Sequence, residues 1–128
     1  MTATLQRPGI ILFAHGSRDP LWHQPMEAVA ARLKELAPQT PVRCAYLELS
    51  TPDLAQATVD LIAMGTNAIT IVPLFLGVGK HAREDLPLLV NALRLQHPQV
   101  QFGLQAAVGE SPRLVHVLAE IALEGLKP

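Results

Sequence analysis

Short apolar segments and amphipathic segments alternate along this chain. Gly9–Ala14 (GIILFA) is continuously apolar and β-rich, as expected of a strand covered on both faces. Pro20–Ala37 follows and repeats apolar residues at helical spacing, which predicts the first helix. Its apolar positions are Trp22, Met26, Val29, Leu33 and Leu36.

The second strand and helix are marked by their boundary residues. Val42–Leu49 (VRCAYLEL) predicts a strand, and a helix is expected soon after it. Thr51 supplies a capping hydroxyl, Pro52 suits the first helical position, and Asp53 complements the helix dipole. Gly65 is a natural C-terminal stop. The predicted inner face is Leu54, Ala57, Thr58, Leu61 and Ile62.

Two further strand–helix pairs complete the pattern. Ala68–Leu76 (AITIVPLFL) predicts the third strand, and Glu84–Gln96 predicts the third helix. Val100–Gln105 predicts a fourth strand that is less apolar and therefore nearer an edge. Ser111-Pro112 repeats the cap-then-proline signal before the last helix. The predicted inward residues are Leu86, Leu89, Val90 and Leu93 on the third helix, and Leu114, Val117, Leu118 and Ile121 on the fourth.

Fourfold alternation of strand and helix predicts an α/β fold with a parallel sheet and right-handed crossovers. With no long linker, low-complexity tract or internal repeat in the sequence, we expect a single doubly wound domain over residues 1–128. The expected sheet has four strands in the order 2-1-3-4, with helices on both faces.

This topology predicts where a ligand binds. In open parallel sheets, ligands bind beyond the carboxyl ends of the strands, where the strand order reverses. Strand one continues into His15, strand three continues into the loop that carries His81, and Glu48 lies near the end of strand two. We therefore expect the two histidines to face each other across one crevice, with Glu48 nearby.

Composition narrows the classes of function. The net charge of −1 at pH 7 argues against a general affinity for nucleic acid or for acidic membranes, since both require clustered cationic residues. The single cysteine, Cys44, excludes an internal disulfide and a cage of several cysteines around zinc or iron–sulfur. We find neither an apolar run of membrane-spanning length nor a signal peptide before Pro8, so we expect a cytoplasmic protein.

Two imidazoles and a carboxylate suit a borderline divalent metal such as iron, cobalt, nickel or zinc. Because closed structural sites normally have four protein ligands, a site formed by His15 and His81, with or without Glu48, is typical of a metal that exchanges. The nearby Ser17, Arg18, Lys80 and Arg83 could bind carboxylates, and Phe75, Leu76 and Val78 could form an apolar wall. The remaining histidines, His23, His97 and His116, are expected to lie on the surface or to interact with helix ends.

Other interpretations of the same residues stay open. Gly77–His81 (GVGKH) could bind phosphate through backbone amides, but it lacks the G-x-x-x-x-G-K-[ST] frame. A phosphohistidine enzyme would normally have arginine where Ala14 stands. A serine hydrolase using Ser17 would lack the G-x-S-x-G turn. A purely structural loop is the remaining alternative.

Three motifs, in order, resemble the short CbiX-type sirohydrochlorin chelatases, which are class II chelatases related to ferrochelatase and the cobaltochelatases. The motifs are His15–Pro20 (HGSRDP), Tyr46–Glu48 (YLE) with Pro52 shortly after, and Pro73–Leu76 (PLFL) through Gly79-Lys80-His81 to Asp85–Pro87 (DLP). They extend over roughly three-quarters of the chain. Gly109–Pro112 (GESP) fits less well, because relatives often have a histidine just before that proline.

The resemblance implies insertion of cobalt, iron or nickel, as a substrate and not a permanent cofactor, into sirohydrochlorin. It implies that His15 and His81 bind the metal, with Glu48 matching the acidic residue of the family motif. Our hypothesis is that Glu48 accepts the pyrrole protons, with a released histidine as second choice. The tetrapyrrole is expected to contact Ser17, Arg18, Gly77, Gly79 and Lys80.

The resemblance also implies a homodimer, because most class II chelatases are about twice as long and contain two similar halves around the macrocycle. This chain resembles one half, so we expect two copies with facing crevices. A different class of function, a non-catalytic carrier of metal or metallo-tetrapyrrole, would use the same histidines and is distinguished by the absence of turnover.

Overall fold

The structure, a computed structural model, describes residues 5–127. Its four strands form one parallel sheet in the order 2-1-3-4, which confirms the predicted topology. The strands are β1 (Pro8–Ala14), β2 (Val42–Tyr46), β3 (Ala68–Pro73) and β4 (Gln101–Leu104). The expectation about a leader segment concerns in part residues 1–4, which lie outside the described residues.

A helix follows each strand, as the alternating pattern predicts. The four helices are α1 (Gln24–Leu36), α2 (Leu54–Ala63), α3 (Lys80–Gln96) and α4 (Pro112–Glu124). Two short 3-10 helices, Pro20–His23 and Val108–Glu110, precede α1 and α4.

The main core lies between one face of the sheet and helices α2 and α3. It is built on residues such as Ile11, Phe13 and Ile71 from the strands and Leu61 and Val90 from the helices. Alternate residues of β1 and β2 point to the opposite face, where Ala14 and Tyr46 pack against Met26 of α1 in a smaller cluster. Helices therefore lie on both faces, as predicted.

Strands β2 and β3 were predicted to extend too far at their carboxyl ends. β2 ends at Tyr46 because the chain then turns: Tyr46 N–H donates to the Pro52 carbonyl (2.9 Å), and Leu49 adopts a left-handed conformation (φ 64°). β3 ends at Pro73, not at Leu76. Each of these two apolar segments therefore forms a strand and then the start of the loop that follows it.

The predicted cap of α2 was also wrong by two residues. Asp53, not Thr51, is the N-cap: its carboxylate accepts from Gln56 N–H (2.8 Å), and the Gln56 side chain accepts from Asp53 N–H (2.9 Å). This reciprocal capping box satisfies two backbone donors that the helix itself leaves free. Pro52 consequently lies before the helix.

Helix α3 begins earlier than the predicted Glu84. Gly79 is its N-cap, and Arg83 N–H donates to the Gly79 carbonyl (3.0 Å), which closes the first turn. The loop that contains Gly77 and Gly79 therefore ends at Gly79, and Lys80 and His81 lie on the first helical turn. The fourth strand, predicted over Val100–Gln105, is one residue shorter at each end in the structure.

The predicted inward faces of the first and last helices were largely wrong for this chain. Met26 is the only buried residue of α1, whereas Val29 and Leu36 are exposed. In α4, none of residues 112–124 is buried, and the predicted inward residues Val117, Leu118 and Ile121 are exposed. Both helices keep the predicted amphipathic pattern, but the domain core does not cover their apolar faces.

Among residues 5–127, no helix has both the length and the apolar character needed to cross a membrane.

Candidate functional site

A cavity of about 360 Å³ lies at the carboxyl edge of the sheet, where β1 and β3 are neighbours. This is the position at which the strand order reverses and where ligands bind in open parallel sheets. Its polar lining comes from His15, Lys80, His81 and Asp85. Its remaining lining is Phe13, Leu47, Phe75, Gly77, Gly79, Ala82, Leu86 and Leu89.

His15 directly follows β1 and is held by two neighbours. Its ring lies 4.7 Å from the Phe75 ring, centroid to centroid, and its Nδ1 lies 3.4 Å from Glu48 Oε1. Both side chains of this pair are about half exposed. A carboxylate beside Nδ1 favours a proton on that nitrogen, which leaves the lone pair of Nε2 available to a ligand.

His81 reaches the same cavity from a different element, the first turn of α3. Lys80 precedes it and Asp85 lies one turn later, both also on the cavity lining. The helix N-terminus and the Lys80 ammonium make this side of the cavity electropositive, so it suits anionic groups of a ligand. The structure thus brings together the two histidines that sequence reasoning paired.

The loop that carries His15 is fixed against the loop after β2. A Cβ atom on Gly16 would lie 1.6 Å from the Glu48 carbonyl oxygen, so only glycine permits this approach. Ser50 Oγ accepts from Ser17 N–H (3.0 Å) and donates to the Ser17 carbonyl (2.7 Å). The two loops, and with them His15 and Glu48, are therefore held in one arrangement.

His23 also takes part in this arrangement, although it was expected to lie on the surface or to interact with a helix end. Its Nε2 lies 3.0 Å from Ser50 Oγ, and its ring stacks on Tyr46 at 4.5 Å. His116 is exposed and pairs with Glu120 at 2.9 Å, which fits the predicted surface role. His97 is the C-cap residue of α3, as predicted for a histidine near a helix end.

Ser17 and Arg18 do not line the cavity that holds His15 and His81. They line a separate, open groove of about 540 Å³ together with His23 and Ser50. The Ser17 hydroxyl accepts from Asp19 N–H (3.1 Å) within the turn. Of the residues that sequence reasoning assigned to the macrocycle, Gly77, Gly79 and Lys80 therefore lie on the cavity, and the other two lie in the adjoining groove.

Glu48 lies beside His15, which its carboxylate contacts, but Glu48 is not among the residues of the cavity lining. Of the predicted apolar wall, Phe75 lies on the cavity, whereas Leu76 is exposed elsewhere and Val78 packs against the main core.

Asp85 is the functional candidate that sequence reasoning did not assign. It lines the cavity on the same side of α3 as His81, which lies four residues before it in the sequence. The signal was present: residues four apart lie on one face of a helix, so a carboxylate follows the histidine by one turn. It was missed because His81 was expected in a loop.

A fully assembled metal cage is not present within residues 5–127: no three His, Cys, Asp or Glu side chains there are grouped closely enough to hold an ion. Two imidazoles on the lining of one open cavity leave coordination positions for a ligand from outside the protein. The donor set therefore suits a metal in transit better than a structural metal.

The cavity wall is connected to the base of α4. A Cβ atom on Gly109 would lie 1.6 Å from the Leu76 carbonyl oxygen, and Gly109 N–H donates to the Phe75 carbonyl (3.0 Å). The 3-10 helix that precedes α4 is therefore packed directly on the loop that carries Phe75.

Three of the curated proteins that are similar in sequence to this chain carry the same name. A sirohydrochlorin cobaltochelatase of Saccharolobus solfataricus is 34% identical over 118 residues, covering 88% of this chain and 91% of that protein. One of Sulfolobus acidocaldarius is 28% identical over 118 residues and covers 92% of each. The alignment with the Methanothermobacter thermautotrophicus protein of the same name, at 33% identity, covers 67% of this chain and 61% of that protein.

Solved structures share the fold. A CbiX protein from Marinobacter aquaeolei superposes with a TM-score of 0.82 at 34% identity, covering 93% of this chain and 97% of that one. SirB from Bacillus subtilis, a sirohydrochlorin chelatase crystallised with cobalt, gives 0.77 at 22% identity, and this chain spans about half of its length (51%). The CbiX family profile matches residues 9–124, so this chain belongs to the CbiX family.

Proposed function

We propose that this protein is a sirohydrochlorin chelatase, which inserts a divalent metal ion into the macrocycle. The observation that carries the proposal is the convergence of His15 and His81, from separate elements, on one cavity at the carboxyl edge of the sheet. The shared name of the curated relatives supplies the substrate class. We place the activity in one cytoplasmic domain, residues 1–128.

His15 and His81 bind the incoming ion. Neutral imidazole is a good ligand for cobalt, nickel and iron(II), and two such ligands hold an ion less tightly than a closed cage of four. Glu48 beside Nδ1 orients the His15 ring so that its other nitrogen can face the ion. The metal is thus a substrate that leaves the protein with the product.

Insertion releases two pyrrole protons as the metal forms its bonds to the ring nitrogens, so two proton acceptors are required. We assign the first to His15, once the metal has left it; Glu48 Oε1 lies 3.4 Å from its Nδ1. We assign the second to Asp85, whose carboxylate lines the cavity. The position of Glu48 behind His15 favours this relay over direct proton transfer to Glu48.

The macrocycle lies against the apolar wall formed by residues such as Phe75 and Leu89. Gly77 and Gly79 allow its face to approach, since a Cβ atom at either position would meet nothing within 4 Å. Lys80 binds a peripheral carboxylate at the cavity, and Ser17 and Arg18 bind another from the adjoining groove.

Cobalt is the metal that we propose, because the relatives at 28% and 34% identity are named cobaltochelatases. Nickel and iron(II) follow the same coordination preferences for nitrogen and oxygen ligands, so they are the competitors to include in the assay. The functional unit that we propose is a homodimer, in which a second copy faces the open side of the cavity.

The test compares His15→Ala and His81→Ala with wild type in purified protein, supplied with sirohydrochlorin and cobalt. Each substitution removes one metal ligand, so we expect the rate of the change in the visible spectrum of the tetrapyrrole to fall by about 100-fold or more. Cobalt binding without tetrapyrrole, measured by calorimetry, should weaken in both variants. His116→Ala, which removes an exposed histidine of α4, is the matched control.

Near-wild-type rates in either variant would show that the metal site is assigned wrongly. Wild-type protein that converts no more than one sirohydrochlorin per protomer would instead indicate a carrier of metal or metallo-tetrapyrrole.

A further inference from the structure

Trp22 contacts the backbone of His15 but takes no part in the proposed binding of metal or macrocycle. It is the single tryptophan of the chain and lies on the 3-10 helix Pro20–His23. Its indole Nε1 donates a hydrogen bond to the main-chain carbonyl of His15 (2.8 Å). Because an indole nitrogen only donates, the side chain of Trp22 holds the peptide group that directly follows the metal-binding imidazole.

The place of Trp22 is not explained by burial in the core. Trp22 is 48% exposed, and no residue of its 3-10 helix is buried. Tryptophan normally removes a large apolar surface from water and gives its N–H a polar partner. Here much of the apolar surface stays in water, whereas the N–H has its partner at 2.8 Å. The hydrogen bond to His15 is therefore the main contact that accounts for a tryptophan at this position.

Successive carbonyls at the end of β1 accept hydrogen bonds from different elements. The carbonyls of Phe13 and Ala14 accept from the first backbone N–H beyond β3 (2.7 Å) and beyond β2 (2.9 Å), respectively. At His15 all three strands have ended, and the donor is the indole of Trp22. The direction of the chain at the metal ligand is therefore set by a side chain and not by the sheet.

The 3-10 helix is itself tied to the loop that carries His15. The Asp19 carboxylate accepts from Leu21 N–H (3.0 Å), and the Asp19 carbonyl accepts from Trp22 N–H (3.0 Å). Asp19 N–H donates to Ser17 Oγ (3.1 Å). The chain thus leaves His15, turns at Asp19 and returns through the indole to the His15 carbonyl, which closes a local frame around the ligand.

We propose that Trp22 is a positioning residue of the metal site. It fixes the main chain of His15, so that the imidazole reaches the cavity while Glu48 lies at its Nδ1 (3.4 Å). Within the part of the chain that the structure describes, Trp22 is not on the cavity lining, so it acts through His15 and not by contact with the ion. This inference rests on the assignment of His15 as a metal ligand in the proposed function.

The experiment removes the indole N–H and measures cobalt binding without tetrapyrrole by calorimetry. Trp22→Phe should weaken cobalt binding by about 10-fold, because a ligand whose supporting hydrogen bond is lost is held less precisely. The KM for cobalt should rise by a similar factor, whereas the KM for sirohydrochlorin should keep its wild-type value. Leu21→Ala is the matched control: Leu21 is 65% exposed on the same 3-10 helix, and both measurements should equal those of wild type.

A second variant deletes the N–H and keeps the size of the ring. Because the chain has one tryptophan, it can be replaced throughout by benzothienylalanine, in which sulfur takes the place of the indole N–H. The same loss of cobalt affinity is expected, and this protein serves as the test if Trp22→Phe does not fold. Urea unfolding shows whether each variant is folded.

A double-mutant cycle separates positioning of His15 from a general structural effect. In a His15→Ala background, Trp22→Phe should cause no further loss of cobalt affinity or of the residual chelation rate, because its effect passes through the missing imidazole. An equal further loss would overturn the inference, as would wild-type cobalt affinity in the benzothienylalanine protein. His15→Ala that binds cobalt like wild type would instead contradict the metal site itself, so the two failures are distinct.

Discussion

At the scale of single residues, Gly16 has the most demanding environment near the site. The backbone of Glu48 passes so close that a Cβ atom on residue 16 would lie 1.6 Å from its carbonyl oxygen. Any side chain there must push the loop after β1 away from the loop after β2. That movement would separate His15 from Glu48, which now lie 3.4 Å apart.

Gly16→Ala is therefore expected to lower both stability and activity. Overpacking of this kind costs about 1–3 kcal/mol in free energy of unfolding. If Glu48 supports His15, the chelation rate should fall by about 10-fold or more. Urea unfolding and the spectroscopic assay measure the two effects.

Gly77→Ala is the control for stability, because a Cβ atom at residue 77 would contact nothing within 4 Å. Its free energy of unfolding should equal that of wild type. An unchanged stability in Gly16→Ala as well would show that the two loops are free to separate without cost.

At the scale of elements, helix α2 shows how a local signal is used. The helix was predicted from apolar spacing, and its existence is confirmed, but the capping residue is Asp53 and not Thr51. Sequence offered two plausible caps within three residues. The reciprocal contacts with Gln56 decide between them, since only Asp53 lies three residues before a side chain that returns the hydrogen bond.

Asp53→Ala should destabilise the protein by about 1 kcal/mol, because Gln56 N–H loses its acceptor. Asp60→Ala is the matched control on the same helix: Asp60 is exposed and lies near the C-terminal end, where a negative charge opposes the helix dipole. Removing it should leave the stability unchanged or slightly raised. Thermal unfolding measures both, and an equal loss in the two variants would contradict the capping role.

The elements also show which parts of the site the sequence could predict. Parallel topology alone brings the ends of β1 and β3 together, so the pairing of His15 with His81 follows from strand order. The course of the connecting loops is not contained in apolar spacing. Hydrogen bonds of Ser50 direct Ser17 and Arg18 into a separate groove, and these long-range contacts have no local sequence signal.

Helix α4 shows a second limit of prediction from the sequence. Its spacing predicted an inward face, and the amphipathic pattern is present, but the isolated protomer does not bury it. Helical periodicity indicates that one face of a helix is apolar and needs a packing partner. It does not indicate whether the surface that packs against this face belongs to the same chain. The error is therefore informative, since it identifies an apolar surface that the described protomer leaves exposed.

At the scale of the whole molecule, the smaller cluster on the α1 side makes stability depend on pH in alkaline solution. Burial, and secondarily the nearby Glu27 carboxylate, raises the pKa of the Cys44 thiol above its ordinary value. Burial, followed by Cys44 and Glu27, raises the pKa of Tyr46 to about 12. Both groups form anions, so in each case the fold favours the protonated form.

The free energy of unfolding should consequently decrease as pH rises from 9.0, the ordinary pKa of the thiol, towards 12. In that range the unfolded chain loses protons that the folded chain retains, which stabilises the unfolded state. Urea unfolding between neutral and alkaline pH measures the slope. The double variant Cys44→Ala with Tyr46→Phe should flatten the profile, and a slope identical to that of wild type would contradict this origin.

The contact between Gly109 and the loop of Phe75 limits how a flat ring can enter the protein. Because the Phe75 carbonyl accepts from Gly109 N–H and the Leu76 carbonyl abuts Gly109, this wall cannot swing outward as a lid without carrying the start of α4 with it. A flat ring would therefore enter and leave edge-on through the open side of the cavity. Product release would accordingly be governed by the width of that opening, and not by an outward movement of the wall that carries Phe75.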